Sequence, residues 1–264
     1  MEVKNRVAIV TGAGQGIGEA TAQCLAREGA AVVVVDLNSD AGSATANAIV
    51  RSGGRAKFVG ADVTCADEVR TMIEAGMDAF GRIDILANVA GIQGMVSDVV
   101  ELPEDEWHRV LDANITSVYL CSKYCIPAMG KGGGGAIVNV ASMQSYFNMP
   151  GSSAYAAAKG GIVSLTRCMA LDFAHRKIRV NAVAPGYIDT PLLRGFAQAT
   201  GDEKGTIDHW NSRIPIGRLQ TPDEVAQVIL FLASARAEAV TGVTYPVDGG
   251  MMTAQPTWGG VPSS

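Results

Sequence analysis

The stretch Val10–Ala20, VTGAGQGIGEA, decides the fold. It follows the short apolar run Arg6–Val10 and leads into a helical pattern, and strand, glycine turn and helix is the context in which backbone amides bind phosphate. Glycine permits positive φ and a close approach of the backbone, and the helix dipole favours an anion. The pattern G-x-G-x-x-G fails in both registers, because the third glycine position holds Ile17 or Glu19. The stretch therefore predicts a phosphate loop of another pattern, built on four glycines: Gly12, Gly14, Gly16 and Gly18.

Composition narrows the class of protein. The 264 residues are 48% hydrophobic and only 18% charged, against about 25% charged in an average globular chain, which favours a large buried core. The net charge is −5 and there is no Lys/Arg-rich run, which argues against a nucleic-acid partner. No segment approaches the roughly 18 apolar residues of a membrane span, and the first apolar run is too short for a signal peptide.

The cysteines and histidines carry no metal or disulfide signature. Five cysteines are an odd number without framework spacing, and the three histidines are dispersed. We therefore expect buried thiols, no metal ion and a reduced, cytoplasmic protein.

Apolar runs alternate with longer helical patterns along the whole chain. The predicted strands are Arg6–Val10, Ala31–Asp36, Ala56–Gly60, Ile83–Asn88, Ala136–Val140, Arg179–Ala184 and Val243–Val247. The predicted helices are Gly16–Glu28, Asp40–Ser52, Ala66–Phe80, Glu104–Met129, Ser153–Ala174 and Asp223–Leu232. The strands are rich in Val and Ile and mostly lack alternation, as expected when both faces are covered. The sequence thus predicts an α/β protein of one domain, 1–264, with a doubly wound, Rossmann-type parallel sheet of about seven strands and helices on both faces.

Two segments depart from this rhythm. Residues 187–218 show weak periodicity between the sixth strand and the last helix, and so long a connection is usually functional, so we interpret it as a substrate lid. The irregular tail 253–264 contains proline and tryptophan, and our hypothesis is that it covers the active site of a neighbouring subunit.

The tetraglycine Gly132–Gly135 precedes a strand rather than a helix, which favours a flexible connector over a phosphate site.

Asp36 bears on the choice of cofactor. It ends the second predicted strand, 18 residues after Gly18, where a carboxylate can accept hydrogen bonds from an adenosine ribose and repel a 2′-phosphate. The alternative is an ordinary strand-end acid that leads into Asn38. The neighbouring candidates Gln15 and Leu37 are uncharged. If the loop binds a nicotinamide dinucleotide, we therefore predict NAD(H) as cofactor, with NADP disfavoured.

The glycine loop and further motifs resemble one known family. Thr11, Gly12, Gly16 and Gly18 match the loop T-G-x-x-x-G-x-G of the short-chain dehydrogenases/reductases, and the resemblance runs from about Val3 to Gly250. Val89 stands where the family's N-N-A-G motif has its second Asn. The resemblance, with the Asp36 argument, predicts these cofactor-binding residues: Gly12, Gln15, Gly16, Ile17, Gly18, Asp36, Leu37, Asp62, Val63, Asn88, Ala90, Gly91, Tyr155, Lys159, Pro185, Gly186, Ile188 and Thr190.

Four residues form the candidate catalytic set. Tyr155 and Lys159 are four apart and share a helix face, and Ser142 comes just past a predicted strand end, where ligands bind in open parallel sheets. Asn114 completes the set by resemblance to the family's Asn-Ser-Tyr-Lys tetrad. Taken singly, a Tyr-x-x-x-Lys pair is common on amphipathic helices, the serine suits a turn and the asparagine suits a helix kink. Their coincidence with the glycine loop and Asp36 favours the catalytic interpretation.

The chemistry of this set is that of alcohol oxidation and ketone reduction. A free tyrosine has a pKa near 10, and a nearby ammonium is expected to stabilise its phenolate. Tyr155 would then take the alcohol proton while hydride leaves for NAD⁺, and Ser142 would orient the same oxygen. By resemblance, Lys159 also holds the nicotinamide ribose, and Asn114 positions a water that connects Lys159 to solvent.

The substrate pocket is predicted from the loops after the strands. Its candidate lining residues are Gln93, Gly94, Met95, Met143, Gln144, Asn148 and Tyr187, with Leu192, Leu193, Phe196, His209 and Trp210 from the lid. The predicted substrate contacts are Gln93, Ser142, Gln144, Asn148, Tyr155 and Tyr187. The amides suggest a small hydroxylated substrate such as a sugar or polyol, the apolar lid equally suits a hydrophobic secondary alcohol, and each amide could simply cap a loop.

Two other functions are compatible with part of this pattern. Within the family, 3-oxoacyl-carrier-protein reductases commonly use NADPH and need a basic docking patch, which Asp36 and the acidic balance argue against. A non-catalytic dinucleotide sensor or scaffold usually lacks part of the tetrad, whereas all four residues are present here. The resemblance also implies a homotetramer, and the apolar stretch Val225–Ala233 suits either a subunit interface or burial against the sheet.

Overall fold

A sheet of seven parallel strands is the centre of the computed structural model, which describes residues 1–253. The strands are β1 (Val7–Thr11), β2 (Ala31–Asp36), β3 (Arg55–Gly60), β4 (Ile85–Asn88), β5 (Gly135–Val140), β6 (Ile178–Pro185) and β7 (Thr244–Val247). The helices are α1 (Gly16–Arg27), α2 (Ser39–Arg51), α3 (Ala66–Phe80), α4 (Glu104–Leu111), α5 (Ser117–Lys131), α6 (Ser153–Phe173), α7 (Pro191–Ala199), α8 (Glu203–Arg213) and α9 (Pro222–Ala233).

The strand order positions the site. The order is β3-β2-β1-β4-β5-β6-β7, so β1 has β2 on one side and β4 on the other, and the chain winds outwards in both directions. A crevice forms where such winding reverses, at the carboxyl ends of the strands. The predicted doubly wound fold is confirmed.

The central strands are buried because helices cover both faces of the sheet. Every residue of β1 is buried, and successive residues of β2 enter different cores. Val32 and Val34 pack with residues of α1, α2 and α9, whereas Val33 and Val35 pack with residues of α3, α5 and α6. The edge strands β3 and β7 keep exposed residues, which is why their sequences are less uniformly apolar.

The long helix predicted from 104 to 129 is interrupted. A π-helical turn, Asp112–Thr116, separates α4 from α5. Side chains stabilise it, since Asn114 Nδ2 donates to the carbonyl of Val110 at 2.8 Å and Ser117 Oγ donates to that of Ala113 at 2.9 Å. Periodicity does not reveal such a turn, because the residues on both sides remain helical.

The segment 187–218 contains two helices that weak periodicity did not predict. Thr190 caps α7 by accepting from the Leu193 amide at 3.2 Å, and Asp202 caps α8 by accepting from the Gly205 amide at 2.9 Å. The first helix has nine residues and the second has no buried residue, so neither imposes a clear apolar stripe on the sequence. The predicted tail 253–264 lies outside the described residues, apart from Thr253.

A buried carboxylate joins the amino ends of β1 and β4. Asp84 is 2% exposed and accepts hydrogen bonds from Arg6 Nη1 and the Val7 amide, each at 2.9 Å, and from Arg82 Nε at 2.8 Å. Burial by itself raises the pKa of Asp84, but the hydrogen bonds from Arg82, Val7 and Arg6 outweigh it and leave the pKa below its ordinary value. The carboxylate therefore stabilises the fold in its charged form.

Asp84→Asn is expected to lower the free energy of unfolding by about 2 kcal/mol at neutral pH, since the amide keeps the shape but removes the charge between two half-exposed guanidinium groups. Because the folded pKa lies below the unfolded value of about 4, the contribution is present above that value and is lost as the pH falls through the folded pKa. Urea unfolding at pH 7, 5 and 3 measures the difference, which should shrink towards acid. Asp67→Asn, in an exposed pair with Arg70, is the control and should change little. A difference for Asp84→Asn that is constant across this range contradicts the assignment.

Candidate active site

The loop between β1 and α1 packs backbone against backbone. A Cβ on Gly18 would lie 1.9 Å from the carbonyl oxygen of Gly12, and one on Gly12, whose φ is +63°, would lie 2.8 Å from Ala90 Cα. Thr11 Oγ1 accepts from the amides of Val89 and Ala90 at 3.1 and 3.2 Å, which ties the loop to the end of β4. Only glycine fits at these contacts.

The amino end of α1 opens into a cavity of about 680 Å³ along the carboxyl ends of the strands. Gln15, its N-cap residue, makes no side-chain capping bond, so the first-turn amides are left to other partners. The cavity extends from Leu37 and Asp62 at one end to Tyr187 and Trp210 at the other. Backbone amides at a helix start form a site for an anion such as a pyrophosphate. The glycine cradle therefore fits a dinucleotide.

Most of the predicted site residues line this cavity. They are Gly12, Gln15, Gly16, Ile17, Gly18, Asp36, Leu37, Asp62, Val63, Ala90, Gly91, Gln93, Asn114, Ser142, Met143, Gln144, Tyr155, Lys159, Pro185, Gly186, Tyr187, Ile188, Thr190, Leu192, Leu193, Phe196 and Trp210. The cavity is also lined by residues that no sequence pattern singled out, among them Thr64, Val96, Met149 and Ser152. Val96 and Met149 come from irregular loops, where no periodicity signals which way a side chain faces.

Asn88 and Asn148 are not brought into the cavity, contrary to prediction. Asn88 is buried behind it, where its Nδ2 donates to Asn139 Oδ1 at 2.8 Å, and Asn139 Nδ2 in turn donates to Thr166 Oγ1 at 2.9 Å. This chain of amides links β4 and β5 to α6, so Asn88 acts by positioning elements. Asn148 is exposed on a loop and lines a neighbouring cavity. Gly94, Met95 and His209 also lie outside the main cavity.

Asp36 serves the loop and faces the cavity as well. Its Oδ2 accepts from the Gly14 amide at 2.7 Å and its Oδ1 from the Asn38 amide at 2.8 Å, so the strand-end interpretation also holds. Each carboxylate oxygen keeps further acceptor capacity. Leu37 beside it is 73% exposed. Among the described residues that line the cavity, the sole cation is Lys159, which lies at the other side of the glycine loop.

Ser142, Tyr155 and Lys159 converge at the carboxyl end of β5. The Gln144 amide donates to Ser142 Oγ at 3.1 Å, so the serine hydroxyl acts as a donor with its own proton, towards Tyr155 in this structure. Lys159 is 3% exposed, and its Nζ donates to the carbonyl of Val140 at 2.9 Å and lies 5.4 Å from the centre of the Tyr155 ring.

Asn114 comes from the π-helical turn and approaches Lys159 next to Gly91. A Cβ on Gly91 would lie 2.5 Å from Asn114 Oδ1 and 3.3 Å from Lys159 Nζ, so only glycine leaves room for both side chains at this point. Asn114 Nδ2 is bonded to the carbonyls of Ile92 and Val110. Its Oδ1 has no partner among residues 1–253 and is buried, so it is an acceptor available to the site.

Burial controls the two titrating groups. It raises the pKa of Tyr155 above its ordinary value, and the hydrogen bond with Ser142 offsets only part of this. Burial also lowers the pKa of Lys159 to about 8. In this structure loss of hydration, rather than the Lys159 ammonium, sets the direction of the tyrosine pKa shift. At neutral pH Tyr155 holds its proton.

Within residues 1–253, no group of three or more His, Cys, Asp or Glu side chains is arranged to hold a metal ion. In the same part of the chain, no helix combines the length and apolarity needed to cross a membrane.

The chain is similar to known proteins over nearly its whole length. The profile of a family described as enoyl-(acyl carrier protein) reductase matches residues 12–252. The chain is 42% identical to cyclohexanol dehydrogenase of Acinetobacter sp. (strain SE19), over 93% of this chain and 94% of that protein. It is 45% identical to cis-4-hydroxycyclohexanecarboxylate dehydrogenase of Sinomonas cyclohexanicum, over 93% and 96%.

Further similarities extend to a carrier-protein reductase and to a solved structure. The 3-oxoacyl-[acyl-carrier-protein] reductase of Thermotoga maritima is 36% identical over 96% of this chain and all of that protein. The crystal structure of levodione reductase superposes with a TM-score of 0.92 at 33% identity, covering 96% of this chain and 99% of that one.

Gly18→Ala is expected to weaken NADH binding at least 10-fold, because the added methyl group would push α1 away from Gly12 and open the cradle. Gly130→Ala is the matched control, since a Cβ there meets nothing within 4 Å and the residue lies inside α5. Titration of NADH fluorescence gives both affinities, with circular dichroism to verify that each variant is folded. Unchanged NADH affinity in folded Gly18→Ala contradicts the role assigned to the loop.

Proposed function

The chain belongs to the short-chain dehydrogenase/reductase family, and on that premise we propose that it is an NAD-dependent oxidoreductase that interconverts a compact secondary alcohol and its ketone. The observation that carries the proposal is the convergence of Ser142, Tyr155 and Lys159 at one side of a cavity whose other side is the glycine cradle and Asp36. When bound, a nicotinamide dinucleotide supplies the hydride acceptor or donor for the reacting carbon.

The chain's own residues handle the proton and the substrate oxygen. In reduction, the Tyr155 phenol donates its proton to the oxygen of the ketone, and in oxidation its phenolate accepts the proton of the alcohol. Ser142 donates a hydrogen bond to the same oxygen, since its Oγ already accepts from the Gln144 amide. Lys159, held by the carbonyl of Val140, places an ammonium beside the ring at pH values below about 8. The raised pKa of Tyr155 keeps the proton donor loaded at neutral pH.

Selection of NAD over NADP is a matter of charge. A 2′-phosphate beside Asp36 would be repelled, whereas ribose hydroxyls can donate to the free acceptor positions of the carboxylate. Gln15 and Leu37, which line the same end of the cavity, carry no charge to compensate.

The reacting end of the cavity favours a compact, largely apolar substrate. Its apolar lining includes Val96, Met143, Met149, Leu192, Leu193, Phe196 and Trp210. The rings of Tyr187 and Trp210 stack with centroids 5.3 Å apart and form a flat wall. Fewer amides are available than the sugar or polyol hypothesis assumed, because Asn148 lies outside and Gln93 Nε2 donates to Ser152 Oγ at 3.2 Å. An aliphatic ring with a secondary hydroxyl suits this lining, and the names of two relatives describe such substrates.

The two other candidate functions have less support. The family description and one relative name acyl-carrier-protein substrates. Reduction of such a substrate requires a cationic docking surface and usually NADPH. The net negative charge of the chain argues against the first and Asp36 against the second. A dinucleotide sensor without turnover has no need for four catalytic-type residues that line one cavity.

Tyr155→Phe is expected to reduce turnover by at least 10²-fold in both directions while NADH affinity stays within about 3-fold, because only the proton donor is removed. Steady-state rates with cyclohexanol and cyclohexanone, followed by reduced-cofactor absorbance, measure the first and calorimetry the second. Tyr146→Phe, an exposed tyrosine on a neighbouring loop, is the control. Full activity of Tyr155→Phe would remove the basis of the mechanism.

Wild-type protein is expected to favour NAD over NADP by at least 100-fold in kcat/KM, and Leu37→Arg should narrow that ratio at least 10-fold by giving a 2′-phosphate a cation. Val50→Arg adds the same charge on α2 at a position that does not line the cavity and should leave the ratio unchanged. Both ratios come from initial rates with a common alcohol. Equal turnover with NADP in the wild-type protein contradicts the cofactor assignment.

A further inference from the structure

Gln144 carries polar atoms that the mechanism does not use. Its backbone amide fixes Ser142, but its side chain is a separate matter: the residue is 6% exposed and Oε1 has no hydrogen-bond partner among residues 1–253. The Nε2 group makes one weak contact, 3.7 Å from Met149 Sδ. Buried amides in folded proteins are nearly always paired, so an unpaired one beside a reacting centre is available for a ligand.

Gln144 stands at the boundary of two cavities. It lines the main cavity and also an adjoining one of about 490 Å³ at the start of α6. Two hydroxyl groups of that second cavity, Ser145 Oγ and Ser153 Oγ, are likewise buried and have no partner in the described part of the chain. Three residues with orphaned polar atoms, from two separate segments, therefore line one space, next to the residue that orients the reacting oxygen.

The charges around this space select a neutral group. Among the described residues that line the second cavity, the one charged side chain is Asp98, and no Lys or Arg accompanies it. An amide and two hydroxyls can both donate and accept, which suits a hydroxyl or a carbonyl, whereas a carboxylate would meet the field of Asp98 without a counter-charge.

We propose that Gln144, with Ser145 and Ser153, binds a second neutral oxygen function of the substrate, so that the preferred substrates are small aliphatic rings with two oxygen groups: diols, hydroxyketones or diketones. The inference rests on the proposed function, because the first oxygen is the one held by Ser142 and Tyr155. Apolar lid residues enclose the ring, and Gln144 distinguishes a second oxygen from a bare methylene. A site built to hydrogen-bond a substrate group rejects analogues that lack the group, because its own buried polar atoms then stay unpaired.

Binding without turnover separates this inference from the proposed function. Wild-type protein saturated with NADH is titrated by calorimetry with cyclohexanol, cyclohexane-1,3-diol and cyclohexane-1,4-diol, a combination in which no hydride can transfer to the ligand. In parallel, kcat/KM for oxidation of the same alcohols is measured with NAD⁺. We expect at least one diol to bind at least 10-fold more tightly than cyclohexanol and to be oxidised with correspondingly higher kcat/KM.

Variants assign the preference to the side chain. Gln144→Leu is expected to abolish the preference for the diol by weakening diol binding at least 10-fold more than cyclohexanol binding, and Ser153→Ala, a milder change, should reduce the preference about 3-fold. Asn148→Leu is the matched control, since it removes an exposed amide from the second cavity alone and should retain the preference.

Four results would overturn a claim. Equal binding and oxidation of cyclohexanol and the diols overturns the second-oxygen site and leaves the proposed function intact. Preferential binding of a diol without oxidation of any alcohol overturns the proposed function and leaves the second-oxygen site intact. Equal losses for both ligands in Gln144→Leu show that the residue acts through Ser142, and 4-hydroxycyclohexanecarboxylate binding more tightly than the diols shows that the site selects an anion.

Discussion

Everything in the site depends on contacts between backbones that no side chain separates, at Gly12, Gly18 and Ala90. These contacts bring the ends of β1 and β4 and the start of α1 to one point, and Thr11 fixes them with two hydrogen bonds. The same spacing is carried across the sheet by buried amides, from Asn88 to Asn139 and on to α6. Because α6 bears Tyr155 and Lys159, the distance between the cradle and the reacting groups is set by the sheet itself rather than by the loops around it.

The two ends of the cavity differ in their exposure to solvent and in the interactions that they offer a ligand. At the cradle, oriented amides and a carboxylate remain close to solvent and act on charges and hydroxyls of a ligand. At the reacting end, Ser142 and Lys159 are buried and Tyr155 is partly buried, and loss of hydration shifts the pKa values of the tyrosine and the lysine in opposite directions, so that each favours its neutral form. A protonated phenol next to a serine hydroxyl is then held in a region of low polarity, where the hydrogen bonds that we propose it makes to a substrate oxygen would be strengthened.

Sequence patterns predicted the scaffold better than the pocket. Strands covered on both faces are continuous apolar runs, so β2 begins and ends at the predicted residues. The helix α3 also has its predicted bounds, and the ends of the other elements that were predicted whole differ by one or two residues. Other features depend on tertiary contacts that spacing does not contain. Examples are the orientation of Met149 and Val96, the displacement of Asn148 from the cavity, and the sign of the Tyr155 pKa shift, which burial decides. The short helices of 187–218 were not predicted because they impose no long apolar stripe on the sequence.

The π-helical turn between α4 and α5 fixes the number of residues that the chain must have at that point. An α-helix turns through about 100° per residue, so loss of one residue from 112–116 would rotate all of α5 by that angle relative to α4. Either Cys121, Cys125 and Met129 would leave the core, or Asn114 would turn away from Lys159. Substitutions within the turn alter single contacts, but an insertion or deletion alters a register. A change of length between α4 and α5 is therefore expected to disrupt either the core or the site.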